Sequence, residues 1–329
     1  MRRQILPACF LFGGNGEKSI AHRIDGLSLF GIYCVGIHAL RSGVKEQSIF
    51  RENNMSGYLY ETHMHTSPAS GCSDTKGREY IPRYIDAGYS GMIITDHFFH
   101  GNTGIDRSLP WREFVNGFCA GYEDALNEGI KRNFPVFFGW EETFQGDDYL
   151  VYGLDKQWLL DHPEVIRYSR KEQYEQVKAA GGCVVQAHPF REAHYIPAIN
   201  LCPELADGIE IFNAGNEMKW NSLAFRWAGL LDLPVTAGSD NHHANRMCPE
   251  NLAGVVLDHP LKCIQDYVKV IKERQPIGLR IPVPVPEWTV ELQPNLPAVW
   301  YDGEEKPTGI RVMDSLLRGE IVTDGQPEG

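Results

Sequence analysis

The stretch LYETHMHT, residues 59–66, is the strongest indication of the fold and is predicted to be a β-strand. Side chains in a strand alternate between its two faces, so Leu59, Glu61, His63 and His65 share one face. Imidazoles two residues apart on one face can reach the same metal ion. Taken alone, the pair is also compatible with two surface histidines at the end of a strand.

Outward from this stretch, short apolar segments alternate with segments of helical periodicity. The further strand candidates are 91–97, 136–144, 148–154, 183–190, 208–215, 234–240 and 253–259. The helix candidates are 111–132, 170–180, 217–231 and 261–274. The apolar face predicted for the first helix consists of Trp111, Phe114, Val115, Phe118, Cys119, Tyr122, Leu126 and Ile130. Such alternation predicts an α/β fold with a mostly parallel sheet, and this number of strands favours a barrel.

The length of 329 residues is compatible with one α/β barrel and additional segments at both ends. We assign residues 55–275 to the barrel and expect residues 1–54 to lie outside its conserved architecture. Residues 276–329 are predicted to form a proline-rich tail, because seven prolines between 276 and 307 favour extended chain. The uncharged run 26–40 is too short for a helix that spans a bilayer.

Charge and cysteine content limit the classes of partner and compartment. The net charge of −12 argues against binding to an anionic membrane and against a stable nucleic-acid complex. A small phosphorylated substrate remains compatible, because one local site can reverse the field. The eight cysteines are scattered and form no C-x-x-C motif, which excludes a zinc knuckle and predicts a reduced, cytoplasmic protein.

Histidine and carboxylate residues accumulate at the C-terminal ends of the predicted strands, where α/β barrels build their sites. Besides the first strand, the strand ends carry Asp96 and His97, Glu141 and Glu142, His188, and Asp240 with His242. Strand alternation leaves open which member of the first two pairs faces the interior. Because burying so many titratable groups without metal is costly, we predict a metal site. Imidazole and carboxylate ligands suit Zn, Mn or Fe.

The order and spacing of these motifs resemble the PHP (polymerase and histidinol phosphatase) superfamily of metal-dependent phosphoesterases. The matching motifs are HMHT at 63–66, ITDH at 94–97, GWE at 139–141, AHP at 187–189 and GSDNH at 238–242. The resemblance spans about residues 57–260. It implies a distorted (β/α)7 barrel with two or three divalent metal ions at the C-terminal ends of the strands. The metal ligands that it implies are His63, His65, His97, Glu141, His188, Asp240 and His242.

The resemblance also implies how these ligands are shared. His63, His65, Glu141 and Asp240 would surround one ion. Glu141, which the match to G-x-E favours over Glu142, would bridge to a neighbouring ion at His188. His97 and His242 would hold another ion.

Two departures from the family pattern leave a third ion open. Many relatives carry a further histidine shortly after H-x-H, where this chain has SPASGCSD at 67–74 and offers Cys72, Ser73 and Asp74. Many carry another histidine in the strand after G-x-E, where this chain has Asp148. A carboxylate can replace an imidazole on a hard metal, so two ions are predicted and a third is undecided.

The implied activity is hydrolysis of a phosphate ester, of a small metabolite or a nucleotide, by a metal-activated water. Asp96 is predicted to orient His97 or to move a proton, and alternatively to cap a loop. Arg191 is predicted to clamp the substrate phosphate, because a guanidinium binds two oxygens at once. The alternative for Arg191 is a surface salt bridge with Glu192. Weaker candidates for the phosphate contact are Lys76, Arg78 and His194.

Two other functions are compatible with a metal barrel. The first is hydrolysis of a carbon–nitrogen bond, as in amidohydrolases, although these usually carry a metal-bridging carboxylated lysine and no lysine ends a predicted strand here. The second is a non-catalytic, metal-stabilised module that serves a polymerase. The complete set of ligands weighs against this second function.

Overall fold

The computed structural model describes residues 57–282 and 293–310, together with the backbone of 32–35 and 50–51. The strands are β1 (Ile32–Val35), β2 (Phe50–Arg51), β3 (Tyr58–Glu61), β4 (Gly91–Ile94), β5 (Val136–Phe144), β6 (Asp147–Tyr152), β7 (Cys183–Ala187), β8 (Ile199–Leu201), β9 (Gly208–Asn213), β10 (Val235–Gly238), β11 (Gly254–Leu257), β12 (Gly278–Arg280), β13 (Ala298–Tyr301) and β14 (Pro307–Ile310). The α-helices are α1 (Gly77–Asp86), α2 (Trp111–Arg132), α3 (Lys156–Asp161), α4 (Arg170–Ala179), α5 (Met218–Ala228) and α6 (Ile264–Lys272). Within these ranges, no helix is both long enough and apolar enough to cross a membrane.

The strands β3, β4, β5, β6, β7, β9 and β10 follow one another around a nearly closed barrel. The two outer strands of this set meet where Met64 and Asn241 form a single bridge. The amide of Asp240 also donates to the His63 carbonyl across this seam, at 2.8 Å. The predicted distorted α/β barrel is therefore confirmed, and the sheet continues beyond β3 through β11, β12, β1 and β2.

The expectation of a mostly parallel sheet holds within the barrel, where four of six strand pairings are parallel, but not for the strands that extend the sheet beyond β3. Parallel pairing joins β3 to β4, β4 to β5, β7 to β9 and β9 to β10, whereas β6 is antiparallel to both β5 and β7. The cause is a two-residue turn, Gln145 and Gly146, whose φ angles of 51° and 95° reverse the chain immediately. No crossover helix fits between β5 and β6, so the strict alternation of strand and helix is broken there.

The helix α2 has the predicted bounds and most of the predicted face. Phe114, Val115, Phe118 and Cys119 are buried among the aromatic side chains of β5. Ile130, however, is 69% exposed. The last turn of α2 contacts the start of β5 through Gly129, where a Cβ would lie 2.5 Å from the Phe134 carbonyl oxygen. The inward-facing position of the last turn is therefore Gly129, which has no side chain, and the neighbouring Ile130 side chain points to solvent.

The two terminal segments each contribute strands. β1 and β2, from the segment expected to lie outside the barrel, extend the sheet by the antiparallel pairing of β1 with β12. β13 pairs with β8 and β14 in a small separate sheet. The division at residues 55 and 276 stays a prediction, since most of 1–56, 283–292 and 311–329 lie outside the described residues.

Candidate metal centre

The pair His63 and His65 lies beyond a strand rather than inside one. β3 ends at Glu61, five residues before the end of the predicted segment 59–66. The following residues stay extended because the His65 amide donates to the Asn241 carbonyl at 3.0 Å. The Glu61 carboxylate turns away from the histidines and accepts hydrogen bonds from the amides of His63 and Ser239. Its carboxylate thereby ties together the two chain segments that close the barrel.

Two candidate ligands have a left-handed backbone that non-glycine residues rarely adopt. The φ angles of His188 and Asp240 are 25° and 52°. Neighbouring groups hold both conformations: the His188 amide donates to Glu210 Oε2 at 3.1 Å, and the Asp240 amide donates to the His63 carbonyl. Backbone strain of this kind is concentrated at functional sites.

Glu141, in the C-terminal half of the barrel strand β5, is the centre of the cluster. Its Oε1 lies 3.3 Å from His63 Nε2 and 3.2 Å from His188 Nε2. Its Oε2 lies 2.6 Å from His97 Nδ1 and 3.5 Å from His65 Nε2. Glu142 is excluded from the cluster, because its carboxylate accepts from the amides of His100 and Thr143.

All seven predicted ligands occur in the groups whose donor atoms lie within 4.8 Å of one another. These groups are His63, His65 and Glu141; His63, His188 and Asp240; His65, His97 and His242; and Glu141, Asp148 and His188. Five buried ligand atoms approach one another to 2.6 Å or more but make no hydrogen bond of regular geometry: His63 Nε2, His65 Nε2, His97 Nδ1, Glu141 Oε2 and Asp240 Oδ1. Buried polar atoms are normally satisfied, so their convergence fits divalent metal ions.

The electrostatic field of the cluster also favours a cation. Burial opposes the ionisation of Glu141, but His97 and His63 hold its pKa well below the ordinary value. Burial opposes the charging of His63 as well, yet the carboxylates of Glu210, Asp240 and Glu141 raise its pKa well above the ordinary value. The buried carboxylates thus stabilise positive charge among the imidazoles, which is the condition that a divalent ion needs.

Sequence reasoning missed the groups that orient the imidazoles. His63 Nδ1 lies 3.0 Å from Glu210 Oε1, which leaves Nε2 to face the cluster when Nδ1 carries the proton. His65 Nδ1 lies 3.1 Å from Ser70 Oγ, and His242 Nδ1 lies 2.8 Å from the Asp240 carbonyl oxygen. Glu210 lies inside the predicted strand 208–215. The one sequence feature that could have identified it is that it is the single charged residue in the apolar segment GIEIF, residues 208–212.

Asp96 lies behind the cluster and lines neither of the cavities beside it. Its carboxylate accepts from the Thr66 amide, from the Thr66 hydroxyl at 2.6 Å and from the Ser70 hydroxyl at 2.7 Å. Ser70 Oγ also accepts from the His97 amide at 3.0 Å. These contacts correspond to loop capping and to an indirect orienting role, and none of them supports proton transfer to substrate.

Arg191 lines the larger cavity, but its partner is not the predicted one. Its Nη2 lies 3.2 Å from Asp148 Oδ2, and its Nη1 donates to the Tyr195 hydroxyl at 2.9 Å. The alternative salt bridge with Glu192 is wrong, because Glu192 accepts from the amide and the side chain of Asn295 instead.

The weaker candidate cations lie away from the site. Arg78 pairs with Asp124 on the surface, and Lys76 and His194 line neither cavity. His100, a residue that no sequence motif marked, lines the larger cavity.

Two cavities meet at the cluster, with volumes of about 900 Å³ and 420 Å³. Their common walls are Cys72, Asp240 and His242. Burial opposes the ionisation of the Cys72 thiol, but hydrogen bonds with His242 and His97 lower its pKa to about 6. The larger cavity gives a small molecule access to the ligand atoms.

No protein-family model and no curated protein sequence matches the chain. Among solved structures, the chain is similar to a two-domain protein from Bacteroides vulgatus that contains a predicted PHP-like metal-dependent phosphoesterase. The two are 13% identical with a TM-score of 0.52, over 69% of this chain and 65% of that one. The match therefore spans just under two thirds of the length of the Bacteroides protein.

Two more distant similarities have TM-scores of 0.38, too low to establish a common fold. A metal-dependent phosphoesterase from Bifidobacterium adolescentis is 16% identical over 56% of this chain and 87% of that one. An amidohydrolase from Chromobacterium violaceum, with bound sulfate and no metal, is 15% identical over 68% of this chain and 98% of that one. On the evidence of the first comparison and of the barrel itself, the chain shares the fold of the matched part of the two-domain protein from Bacteroides vulgatus.

Proposed function

We propose that the chain is a metal-dependent phosphoesterase that hydrolyses the phosphate ester of a small molecule. The observation that carries the proposal is the convergence of seven histidine and carboxylate side chains at one end of the barrel, where five of their buried ligand atoms face one another without hydrogen bonds of regular geometry. The likeness in fold to a PHP-like phosphoesterase supports the same reading.

In this proposal His63, His65, Glu141 and Asp240 would hold one divalent ion. Glu141 and His188 would contribute to a neighbouring ion, and His97 and His242 would hold a further one. Ions in such a centre lower the pKa of bound water and neutralise phosphoryl oxygens. Zn, Mn and Fe all suit the ligand set.

The protein's own side chains fix the geometry and bind the substrate. Glu210 and Ser70 keep one nitrogen of His63 and one of His65 directed at the cluster. The Arg191 guanidinium, at the wall of the larger cavity, binds the phosphate and so shares its hydrogen bonds between the substrate and Asp148. The positive charge of Arg191 favours binding of an anionic substrate at this cavity, although the net charge of the protein is negative.

The competing amidohydrolase function has less support from the site. Neither cavity at the cluster is lined by a lysine among the described residues, so no side chain there could become a bridging carbamate. The Arg191 side chain at the larger cavity also favours a phosphate over a neutral amide.

The test is a matched panel of phosphate monoesters, phosphodiesters and amides, assayed with protein loaded with Zn²⁺, Mn²⁺ or Fe²⁺. We expect phosphate-ester cleavage that a chelator abolishes and added metal restores. The Glu141→Gln variant serves as the inactive control. Cleavage of amides without cleavage of any phosphate ester would replace the proposal with the amidohydrolase function.

A further inference from the structure

Arg191, to which the proposed function assigns the substrate phosphate, lies in the segment 188–198 between β7 and β8, here called the Arg191 loop. This loop forms neither helix nor strand. At its start the Arg191 amide donates to the His188 carbonyl at 2.9 Å. Tyr195, further along the loop, also lines the larger cavity. The position of the guanidinium therefore depends on the contacts that hold the rest of the loop.

The far end of the Arg191 loop is held by the C-terminal segment 293–310. β8, which follows the loop, pairs with β13 alone in the described part of the chain. The Ile199 amide, at the first residue of β8, donates to the Pro297 carbonyl at 2.9 Å. The C-terminal segment is itself anchored, because Glu305 Oε1 accepts from the buried Arg170 guanidinium at 2.8 Å. It can therefore serve as a support for the loop.

A second contact with the C-terminal segment lies one residue beyond Arg191. The Asn295 amide donates to Glu192 Oε1 and the Asn295 Nδ2 group donates to Glu192 Oε2, both at 2.6 Å. The Asn295 carboxamide is oriented in turn, since its Oδ1 accepts from Lys219 Nζ on α5 at 3.2 Å. Both oxygens of Glu192 are thus occupied by donors, which disfavours an ion pair between this carboxylate and the neighbouring guanidinium.

We propose that Asn295 is a positioning residue for Arg191. It holds Glu192 by both carboxylate oxygens, so that the Arg191 loop keeps the guanidinium at the wall of the larger cavity. A carboxylate and a phosphate offer two oxygens to the same planar donors, so a released Glu192 would compete with the substrate for Arg191. The inference rests on the proposed function, in which Arg191 binds the phosphate, and gives the C-terminal segment a part in substrate binding.

The first test is steady-state hydrolysis of the best phosphate ester by metal-loaded, full-length protein. Asn295→Ala removes the side-chain hydrogen bond and keeps the backbone one, so KM should rise about 2- to 10-fold. kcat and metal content should not change, because Asn295 affects binding alone. Asn295→Asp places a like charge against Glu192 and should raise KM further. In an Arg191→Ala background, Asn295→Ala should leave KM unchanged, because Asn295 acts through Arg191.

The matched control is Glu204→Ala. Glu204 Oε2 accepts from the Gly303 amide at 3.0 Å, so this variant also removes a contact with the C-terminal segment. Glu204 lies beyond β8 and outside the Arg191 loop. We therefore expect the wild-type KM in this variant.

Limited proteolysis gives a second readout that needs no enzymatic activity. Trypsin cleaves after arginine, and a segment that opens more often is cut faster. We expect faster cleavage after Arg191 in Asn295→Ala and Asn295→Asp than in the wild type. Glu204→Ala should be cut there at the wild-type rate.

The outcomes separate this inference from the proposed function. An unchanged KM in both Asn295 variants, or an unchanged rate of cleavage after Arg191, would overturn the role of Asn295. A rise in KM that persists in full in the Arg191→Ala background, or a loss of metal in the Asn295 variants, would do the same. If the wild type cleaves no phosphate ester, the phosphoesterase function fails, and the trypsin rates alone decide whether Asn295 holds the loop.

Discussion

Glu210→Gln is the substitution that best isolates the role of the residues behind the metal ligands. Glu210 Oε1 faces His63 Nδ1 at 3.0 Å, and Oε2 accepts from the His188 amide and from Asn213 Nδ2, both at 3.1 Å. A glutamine has one accepting oxygen, so its NH₂ group must face one of these two sides. Facing His63, it moves the proton of the ring to Nε2 and removes the lone pair that points at the cluster. Facing His188, it opposes a backbone amide already held at a φ of 25°.

One orientation holds His63 in the tautomer that cannot bind the ion through Nε2, and the other leaves the His188 amide without its acceptor; we expect either to cost about as much as one buried hydrogen bond, about 1–3 kcal/mol. At about 1.4 kcal/mol per factor of ten, metal affinity falls roughly 5- to 150-fold, in line with the effect of outer-shell partners of ligating histidines. The assay is competition for Zn²⁺ between the metal-free variant and a fluorescent chelator. Asp207→Asn is the matched control, because Asp207 accepts from the Val184 amide near the opposite end of β7. An unchanged Zn²⁺ affinity in Glu210→Gln, or an equal loss in Asp207→Asn, would refute the reasoning.

Three further predictions concern the substrate, an orienting hydroxyl and a helix cap. Arg191→Ala should lower kcat/KM for phosphate esters about 10- to 100-fold, because a charge-assisted contact with the phosphate is lost. The metal content, measured by elemental analysis, should not change. Full activity of the variant would mean that another cation binds the phosphate. Ser70→Ala frees the His65 Nδ1 proton and should weaken Zn²⁺ binding about 10-fold, as measured by chelator competition, whereas equal affinity would contradict the orienting role. At the start of α6, hydrogen bonds from the amides of Lys262 and Cys263 lower the pKa of Asp266. Asp266→Asn should therefore reduce the free energy of unfolding by about 1 kcal/mol at neutral pH, and the difference should shrink as pH falls through the lowered folded-state pKa; a difference independent of pH would exclude the ionised cap.

The sequence was informative about the barrel because its strands and α2 follow simple periodicities. The bounds of α2 needed only the 3.6-residue spacing of its buried face. The antiparallel β6 could not be predicted from periodicity, since a buried strand has the same pattern in either direction. Its direction depends on the two-residue turn at Gln145 and Gly146, which lacks the Asn-Gly or Asp-Gly signature of the commonest hairpins.

The candidate ligands were predictable as a set, but their orientation was not. Strand alternation placed Glu61 on one face with His63 and His65, yet the strand ends at Glu61 and the alternation no longer applies beyond it. Asp240 likewise follows the end of β10 with a φ of 52°, so no periodic rule gives its direction. Glu210 contacts His63, which lies 147 positions away in the sequence, and Ser70 contacts His65, which lies 5 positions away. No local sequence pattern can predict a contact over 147 positions.

The metal content of the full chain decides whether the histidine and carboxylate cluster is a metal centre. Protein stripped with a chelator, reloaded with Zn²⁺ and dialysed is compared by elemental analysis with the His63→Ala/Asp240→Ala double variant prepared in the same way. The account predicts about two Zn²⁺ ions per wild-type chain or more, and fewer in the folded double variant, because both substitutions remove ligand atoms from the groups around His63. No more zinc in the wild type than in the double variant would contradict the metal centre and, with it, the proposed function.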